Sequence, residues 1–306
     1  MNYGIPYMGS KSKILKDICP LFPKATHFYD LFGGGFSVTD YMLRHRGNDF
    51  KHFHFNEIKP GICELVQDAI KGKYNYDNFK PEWISKEKFF ASGDVYVKTV
   101  WSFGNDGRTY MFGKNIEEYK RSLHQAVVFN EFDQFSKDFL GIGRFENSMP
   151  IKDRRLLIKK LTKNTTMSPN PAIRLQQLQQ LQQLQQLERL QQLERLQQLQ
   201  QLESRLSFYN LDYREVPIKE DSIVYCDIPY KGTKDYSVSR FNHSDFIEWA
   251  ANNPNPVFIS EYEIPDTRFS IVHEVRKRVL LDSAQANKYK IERLYANEAA
   301  MRKLNK

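Results

Sequence analysis

The sequence predicts an α/β protein: a sheet covered by helices on both faces, carrying an inserted module and a leucine-rich low-complexity segment. Three observations lead there. Short apolar strands alternate with helices near the N-terminus and again near the C-terminus, which is the pattern of a wound sheet. The middle of the chain breaks that alternation and is rich in aromatic and basic residues. Between the middle and the second alternating stretch, leucine recurs at every third position. The expected organisation is an α/β domain from 1–70 and 207–306, an insert at 71–170, and a Leu-Gln repeat spacer at 171–206.

The elements follow in order. Residues 26–30 (THFYD) read as a strand, 33–35 (GGG) as a turn, 36–46 as a helix and 51–56 as a second strand. After the repeat, 222–226 (SIVYC) is an apolar strand. Residues 243–252 form a helix, with Ser244 as its expected cap, and 256–260 (PVFIS) form another strand. Residues 271–281 and 291–296 complete the set as strands.

The repeat reads LQQLQQLQQLQQLERLQQLERLQQLQQL from 175 to 202. Its residues all favour helix, which is the expected conformation. Three residues turn an α-helix by about 300°, so successive leucines drift round the cylinder and no fixed apolar face forms. The spacing is not the 3.5 of a leucine zipper. A period of three aligns in a 3₁₀-helix, but such helices are short. The segment is therefore expected to be a spacer without chemistry, tolerant of losing whole triplets.

Composition limits the function. Hydrophobic residues make up 41% and charged residues 27%, enough for a packed core, and the formal net charge is +8. That sign favours a polyanionic partner. No apolar run reaches the ~18 residues of a membrane span, so no membrane partner is expected. The N-terminal stretch lacks the apolar core of a secretory signal. The three cysteines include no CxxC pair, so neither a disulfide framework nor a metal site is expected, and a reducing cytoplasm is the expected location.

The segment Asp30-Leu31-Phe32-Gly33-Gly34-Gly35, between strand and helix, has the form of a nucleotide-cofactor turn. Consecutive glycines let backbone approach a ligand, and the next helix points its N-terminus at it. The spacing is not GxGxxG. A carboxylate beside the glycines repels a pyrophosphate but suits a cofactor with an amino group or a sulfonium; S-adenosylmethionine carries both. Glu57 ends the second strand, where a carboxylate accepts hydrogen bonds from ribose hydroxyls. A plain tight turn is the other reading of three glycines.

The strand 222–226 runs into Asp227-Ile228-Pro229-Tyr230. This corner resembles the Asp-Pro-Pro-Tyr motif of amino-group DNA methyltransferases. With Pro6-Tyr7-Met8-Gly9-Ser10-Lys11 and the glycine turn, in that order, the chain resembles the Dam-type family of adenine-N6 DNA methyltransferases in its alpha arrangement. Weaker echoes are 101–105 (WSFGN), 258–262 (FISEY) and 292–297 (ERLYAN). The likeness covers nearly all of the chain except the repeat. It implies a Rossmann-like S-adenosylmethionine-dependent methyltransferase fold with a DNA-recognition insert, acting on adenine in double-stranded DNA. The family occurs in bacteria and their phages, with restriction systems or alone.

The resemblance implies site residues. Asp227, Pro229 and Tyr230 would be catalytic. Tyr7, Lys11, Asp30, Phe32, Gly33, Gly34, Gly35, Glu57 and Asp227 would bind the cofactor. A purine amine is a poor nucleophile because its lone pair is delocalised. Asp227 and the Ile228 carbonyl would accept its two hydrogens, Pro229 would stiffen the turn, and Tyr230 would stack on a flipped base. Ile228 stands where the family has proline, so a fixed φ is lost. Family members more often have Asp at the position of Glu57. In the insert, Lys98, Arg108, Lys114, Lys120, Arg121, Lys152, Arg154, Arg155, Lys159 and Lys160 are candidate phosphate contacts; for Lys159 and Lys160 a solvated helix face is the equal alternative. The residues also admit an inactive DNA-binding homologue, a cytosine-N4 enzyme, an enzyme acting on RNA, or a nucleotide-dependent oxidoreductase.

Overall fold

The computed structural model describes residues 2–161, 184–230, 241–278 and 289–305. The chain divides into two compact units. The first holds Met1–Ile5, Gly9–Val66 and Leu199–Lys306; the second holds Pro6–Met8 and Gln67–Gln198.

The first unit is built on a seven-stranded sheet. Its strands are β1 (His27–Asp30), β2 (His52–Asn56), β3 (Leu206–Tyr209), β4 (Ser222–Cys226), β5 (Val257–Glu261), β6 (Ser270–Arg278) and β7 (Tyr289–Ala296). Their spatial order is β3-β2-β1-β4-β5-β7-β6. The first five in that order pair in parallel, and β7 runs antiparallel to both β5 and β6. Every residue of β1, β4 and β5 is buried, as expected for central parallel strands covered on both faces.

Alternation along β4 explains how the faces are filled. Val224 and Cys226 join Tyr29, Phe246, Val257 and Ile259 in one core. Tyr225 points the other way, where its ring lies 5.5 Å from Phe22. The helix Ser37–His45 follows β1, and the helix His243–Asn252 precedes β5. The latter is capped by Asn242, whose Oδ1 accepts the N–H groups of Ser244 and Asp245. Ser244 was the expected cap; Asn242 precedes the first helical residue, where a side-chain oxygen reaches those amides. Of the strand expected over 271–281, residues 279–281 lie outside the described residues.

The second unit is mainly helical, with helices at Lys86–Ala91, Val95–Val100, Lys114–Phe129, Gln134–Leu140, Ile151–Leu161 and Gln185–Glu194. Its core includes Phe89, Trp101, Leu123 and Val127. The repeat contributes to that core. Residues 175–183 lie outside the described residues, but Leu184, Leu187, Leu190, Leu193 and Leu196 are each at most 1% exposed. The α-helix Gln185–Glu194 gives way to a 3₁₀-helix at Arg195–Arg205, and in the latter a period of three keeps leucines in line. Arg189 fixes the register by donating to the carbonyls of Val100 and Ser102. Over these residues the expected spacer is packed structure.

Several of the insert's cations are also structural. Lys98 donates to the Phe89 carbonyl at 2.7 Å and lies over that ring. Lys120, Arg154 and Arg155 are buried. Arg108, Lys114, Arg121, Lys152 and Lys160 are exposed.

Candidate active site

Parallel strands deliver their C-terminal ends to one edge of the sheet. Here β1 lies between β2 and β4, so the order turns back at β1. Such switch points open a crevice beyond the strand ends. Four acids stand at the ends of four neighbouring strands: Glu57 just after β2, Asp30 closing β1, Asp227 just after β4, and Glu261 closing β5.

The glycine turn hangs between the first two. The Gly33 amide donates to the Asn56 carbonyl at 2.9 Å. The Gly34 amide donates to Glu57 Oε2 at 2.8 Å, and the Lys59 amide to Oε1 at 2.9 Å. Gly33 must be glycine because a Cβ would fall 2.1 Å from Cε2 of the Phe55 ring. Gly4, at φ +69°, packs equally closely, since a Cβ there would meet the Gly35 carbonyl oxygen at 2.0 Å. Burial raises the Glu57 carboxyl above its ordinary value, against the two backbone N–H groups that favour its charge.

Asp30 is fully buried. Thr39 Oγ1 donates to its Oδ2 at 2.8 Å, while Oδ1 has no hydrogen-bond partner among the described residues. Burial pushes its carboxyl up to about 7, with the Asp227 charge adding to the effect and the Thr39 hydrogen bond opposing it. Phe32 packs inward, its ring 5.4 to 5.6 Å from Tyr213, Phe241 and Phe246.

The corner after β4 holds a charge cluster. Lys11, 5% exposed, places its Nζ 2.7 Å from Asp227 Oδ1 and 3.0 Å from Glu292 Oε1. It also donates to the Tyr230 hydroxyl. Tyr230 in turn donates to Glu292 Oε1 at 2.8 Å. Burial opposes the lysine's charge, but the Asp227 and Glu292 carboxylates outweigh it and hold the ammonium above its ordinary value. Burial raises Tyr230, and the same two carboxylates raise it further, so it stays a donor. Its ring meets Tyr262 at 4.5 Å, and Lys290 lies over the Tyr262 ring at 4.5 Å. The Pro229 carbonyl accepts a hydrogen bond from His243 Nε2 at 2.7 Å. Ile228 is 3% exposed and belongs to the core that holds Phe246 and Tyr213. Packing thus restrains a residue that lacks the fixed φ of proline.

The structure therefore brings together Lys11, Asp227 and Tyr230, and separately joins Gly33 and Gly34 to the end of β2 and to Glu57. Tyr7, half-buried, belongs to the second unit. Glu292 and Tyr262 were not among the expected site residues. Glu292 had a readable signal: in β7 it alternates with Leu294 and Ala296, both buried, so a carboxylate falls on an apolar face. Among the described residues no group of three or more His, Cys, Asp or Glu is arranged to hold a metal. No described helix is long and apolar enough to cross a membrane.

The family model for D12 class N6 adenine-specific DNA methyltransferases matches residues 7–248. Among solved structures, an rRNA methyltransferase, aviRa from Streptomyces viridochromogenes, is 10% identical with a TM-score of 0.40, covering 98% of this chain and 90% of that one. A second structure of the same enzyme, also 10% identical, gives 0.36 over 97% and 88%.

Proposed function

The chain belongs to the D12 class N6 adenine-specific DNA methyltransferase family, and from that premise we propose how its own residues divide the work. The enzyme transfers a methyl group from S-adenosylmethionine to the N6 amine of adenine in DNA. The cofactor, when bound, supplies an electrophilic methyl on a sulfonium. Asp30, Glu57 and the glycine turn are the residues that would hold it. A buried carboxylate oxygen without a partner, Asp30 Oδ1, suits a cationic group, since a buried polar atom left unpaired costs free energy. Glu57 and the glycine amides flank it at the ends of β2 and β1.

Asp227 and the Ile228 carbonyl accept the two hydrogens of the target amine, drawing its nitrogen toward sp³ geometry with the lone pair free. Lys11 compensates the Asp227 charge. Tyr230 presents an aromatic face to a base taken out of the duplex. Most of the acceleration then comes from positioning and electrostatics. The single observation that carries this reading is the Lys11–Asp227–Tyr230 cluster at the end of β4, the strand beside Asp30.

The second unit supplies the contact with double-stranded DNA. Its exposed loop closes through a bridge between Ser102 and Tyr110, with the Phe103 amide donating to the Thr109 carbonyl at 2.7 Å. That loop leaves Phe103 66% exposed beside the exposed Arg108. An apolar ring and a cation on a closed loop suit a groove lined by phosphates and base edges. The deciding experiment is transfer of a labelled methyl group to duplex DNA, with the labelled nucleoside identified after digestion. Label in N6-methyladenine that disappears in Asp227→Ala supports the reading. Undiminished transfer by that variant would sink the assignment of the corner.

A further inference from the structure

We propose that Glu292 is a positioning residue for methyl transfer: from strand β7 it holds the Lys11 ammonium and the Tyr230 hydroxyl, and through them sets the Asp227 carboxylate and the Tyr230 ring. The inference rests on the roles assigned above to Asp227 and Tyr230. Glu292 opens the weaker echo at 292–297, to which no role was assigned, and lies beyond the matched residues 7–248.

Three observations carry it. The first is shared contact. A single oxygen, Oε1, accepts from Lys11 at 3.0 Å and from Tyr230 at 2.8 Å. The second is rigidity. Lys11 and Tyr230 lie outside regular elements, whereas Glu292 pairs opposite Val275 on β6, one residue from the Arg293–Glu261 pair with β5. A strand laddered on both sides fixes its carboxylate, and the two loop-borne groups are fixed to it. The third is charge. Glu292 is 2% exposed and shares its strand face with the buried Leu294 and Ala296, where a carboxylate is costly unless partnered. Lys11 supplies one positive charge to two carboxylates. With Glu292 in place the ammonium is shared between two carboxylates; without it, Lys11 and the Tyr230 hydroxyl each lose this contact. Glu292 has no part in the chemistry itself, so its loss acts on presentation of the corner.

The groups facing Lys11 are Asp227, Glu292 and Tyr230, with Tyr225, Tyr262 and Glu261 in the surrounding shell. Burial raises Tyr225, Tyr230 and Tyr262, and Glu292 raises Tyr230 further, so the tyrosines stay neutral and Lys11 is the cation whose charge Glu292 supports. Removing one of the two anions that raise Lys11 lowers the pH at which it loses that proton.

The test compares Glu292→Gln, Glu292→Asp, Tyr230→Phe and Asp227→Asn in full-length protein, each checked for a parent-like melt. Steady-state methylation is followed across pH, and S-adenosylmethionine binding is measured by calorimetry. Glu292→Gln is expected to lower kcat at least tenfold, keep cofactor affinity within threefold, and move the alkaline limb of kcat to lower pH. Glu292→Asp restores part of kcat and of the limb, and Tyr230→Phe reproduces part of the kcat loss without moving the limb as far. Parent kcat and pH profile in Glu292→Gln, with Asp227→Asn inactive, overturns this inference and leaves the corner assignment standing. An active Asp227→Asn overturns the corner assignment and this inference with it. If Glu292→Gln does not fold, Glu292→Asp decides: an unmoved kcat and limb overturn the proposal.

Discussion

The Lys11 ammonium and the Asp227 carboxylate meet at 2.7 Å, with Lys11 almost wholly buried. A charge pair with its cation buried holds its acceptor at a set place and in a set charge state. Asp227→Asn keeps the shape and removes the charge. We expect methyl transfer to fall by at least a hundredfold, on the scale of ~3–4 kcal/mol seen when one preorganised polar group is lost. Single-turnover rates on duplex DNA measure it. A fall of less than tenfold would show that the carboxylate is not the acceptor.

Gly33 and Phe55 pack too closely for any side chain at 33. Gly33→Ala forces a Cβ onto a fully buried ring, which costs about 1–3 kcal/mol as overpacking. It also shifts the turn whose next amide binds Glu57. Thermal melts and cofactor calorimetry should both weaken, and Phe55→Leu in the same chain should restore part of each. A double variant no better than Gly33→Ala would mean that the strain lies elsewhere.

Asp30 links stability to pH in the direction opposite to that of most acids. Its folded-state carboxyl is raised from 3.8 to about 7, so the native protein holds a proton that the unfolded chain has released. Stability from this group is complete below about pH 4 and is lost as pH rises through about 7. Asp30→Asn is neutral at every pH and still accepts from Thr39. The variant should match the parent near pH 4 and be the more stable at pH 8.5, yet bind S-adenosylmethionine more weakly. Melts at the two pH values with calorimetry check both halves. An equally stable variant that binds as tightly as the parent would remove Asp30 from the cofactor site.

Burial separates the insert's cations into two kinds. Lys114 is exposed, whereas Lys120 is 4% exposed with its ammonium lowered to about 8 by burial. Lys114→Met should reduce the slope of log affinity against log salt by about one for the phosphate it no longer neutralises. Lys120→Met should leave the slope unchanged. DNA titrations at several salt concentrations distinguish them, and a slope lowered by Lys120→Met alone would reverse the assignment.

The sheet was legible because central strands are short apolar runs with turn residues between them. Residues 222–226 became β4 without adjustment, and β1 and β2 differ from their expected starts by one residue. Three of the four acids at the strand ends, Asp30, Glu57 and Asp227, were legible too, since the chain leaves each strand directly into them. What sequence hid depends on contacts between distant segments. Glu292 meets Lys11 only because β7 inserts between β5 and β6. Lys120 looks like its exposed neighbours until the helix Lys114–Phe129 is packed. The leucine repeat was legible as helix but not as core: each helix type was weighed alone over the whole repeat, whereas the chain uses an α-helix followed by a 3₁₀-helix.

The repeat yields the last prediction. As a pure spacer it would tolerate loss of any leucine. Leu190, however, is fully buried in the helix Gln185–Glu194, one residue from Arg189 and its bonds to Val100 and Ser102. Leu190→Ala removes buried methyl groups and leaves a cavity that its surroundings close only in part, at a cost of about 2–5 kcal/mol. Gln185→Ala changes an exposed position of the same helix to the best helix former, and should stay within about 0.5 kcal/mol of the parent. Urea denaturation of both variants measures the contrast. Equal midpoints would return the segment to the role of a spacer. A drop confined to Leu190→Ala would make the repeat part of the fold of the second unit, and cutting out Leu178 to Gln192 would then remove Leu184, Leu187, Leu190 and Arg189 together.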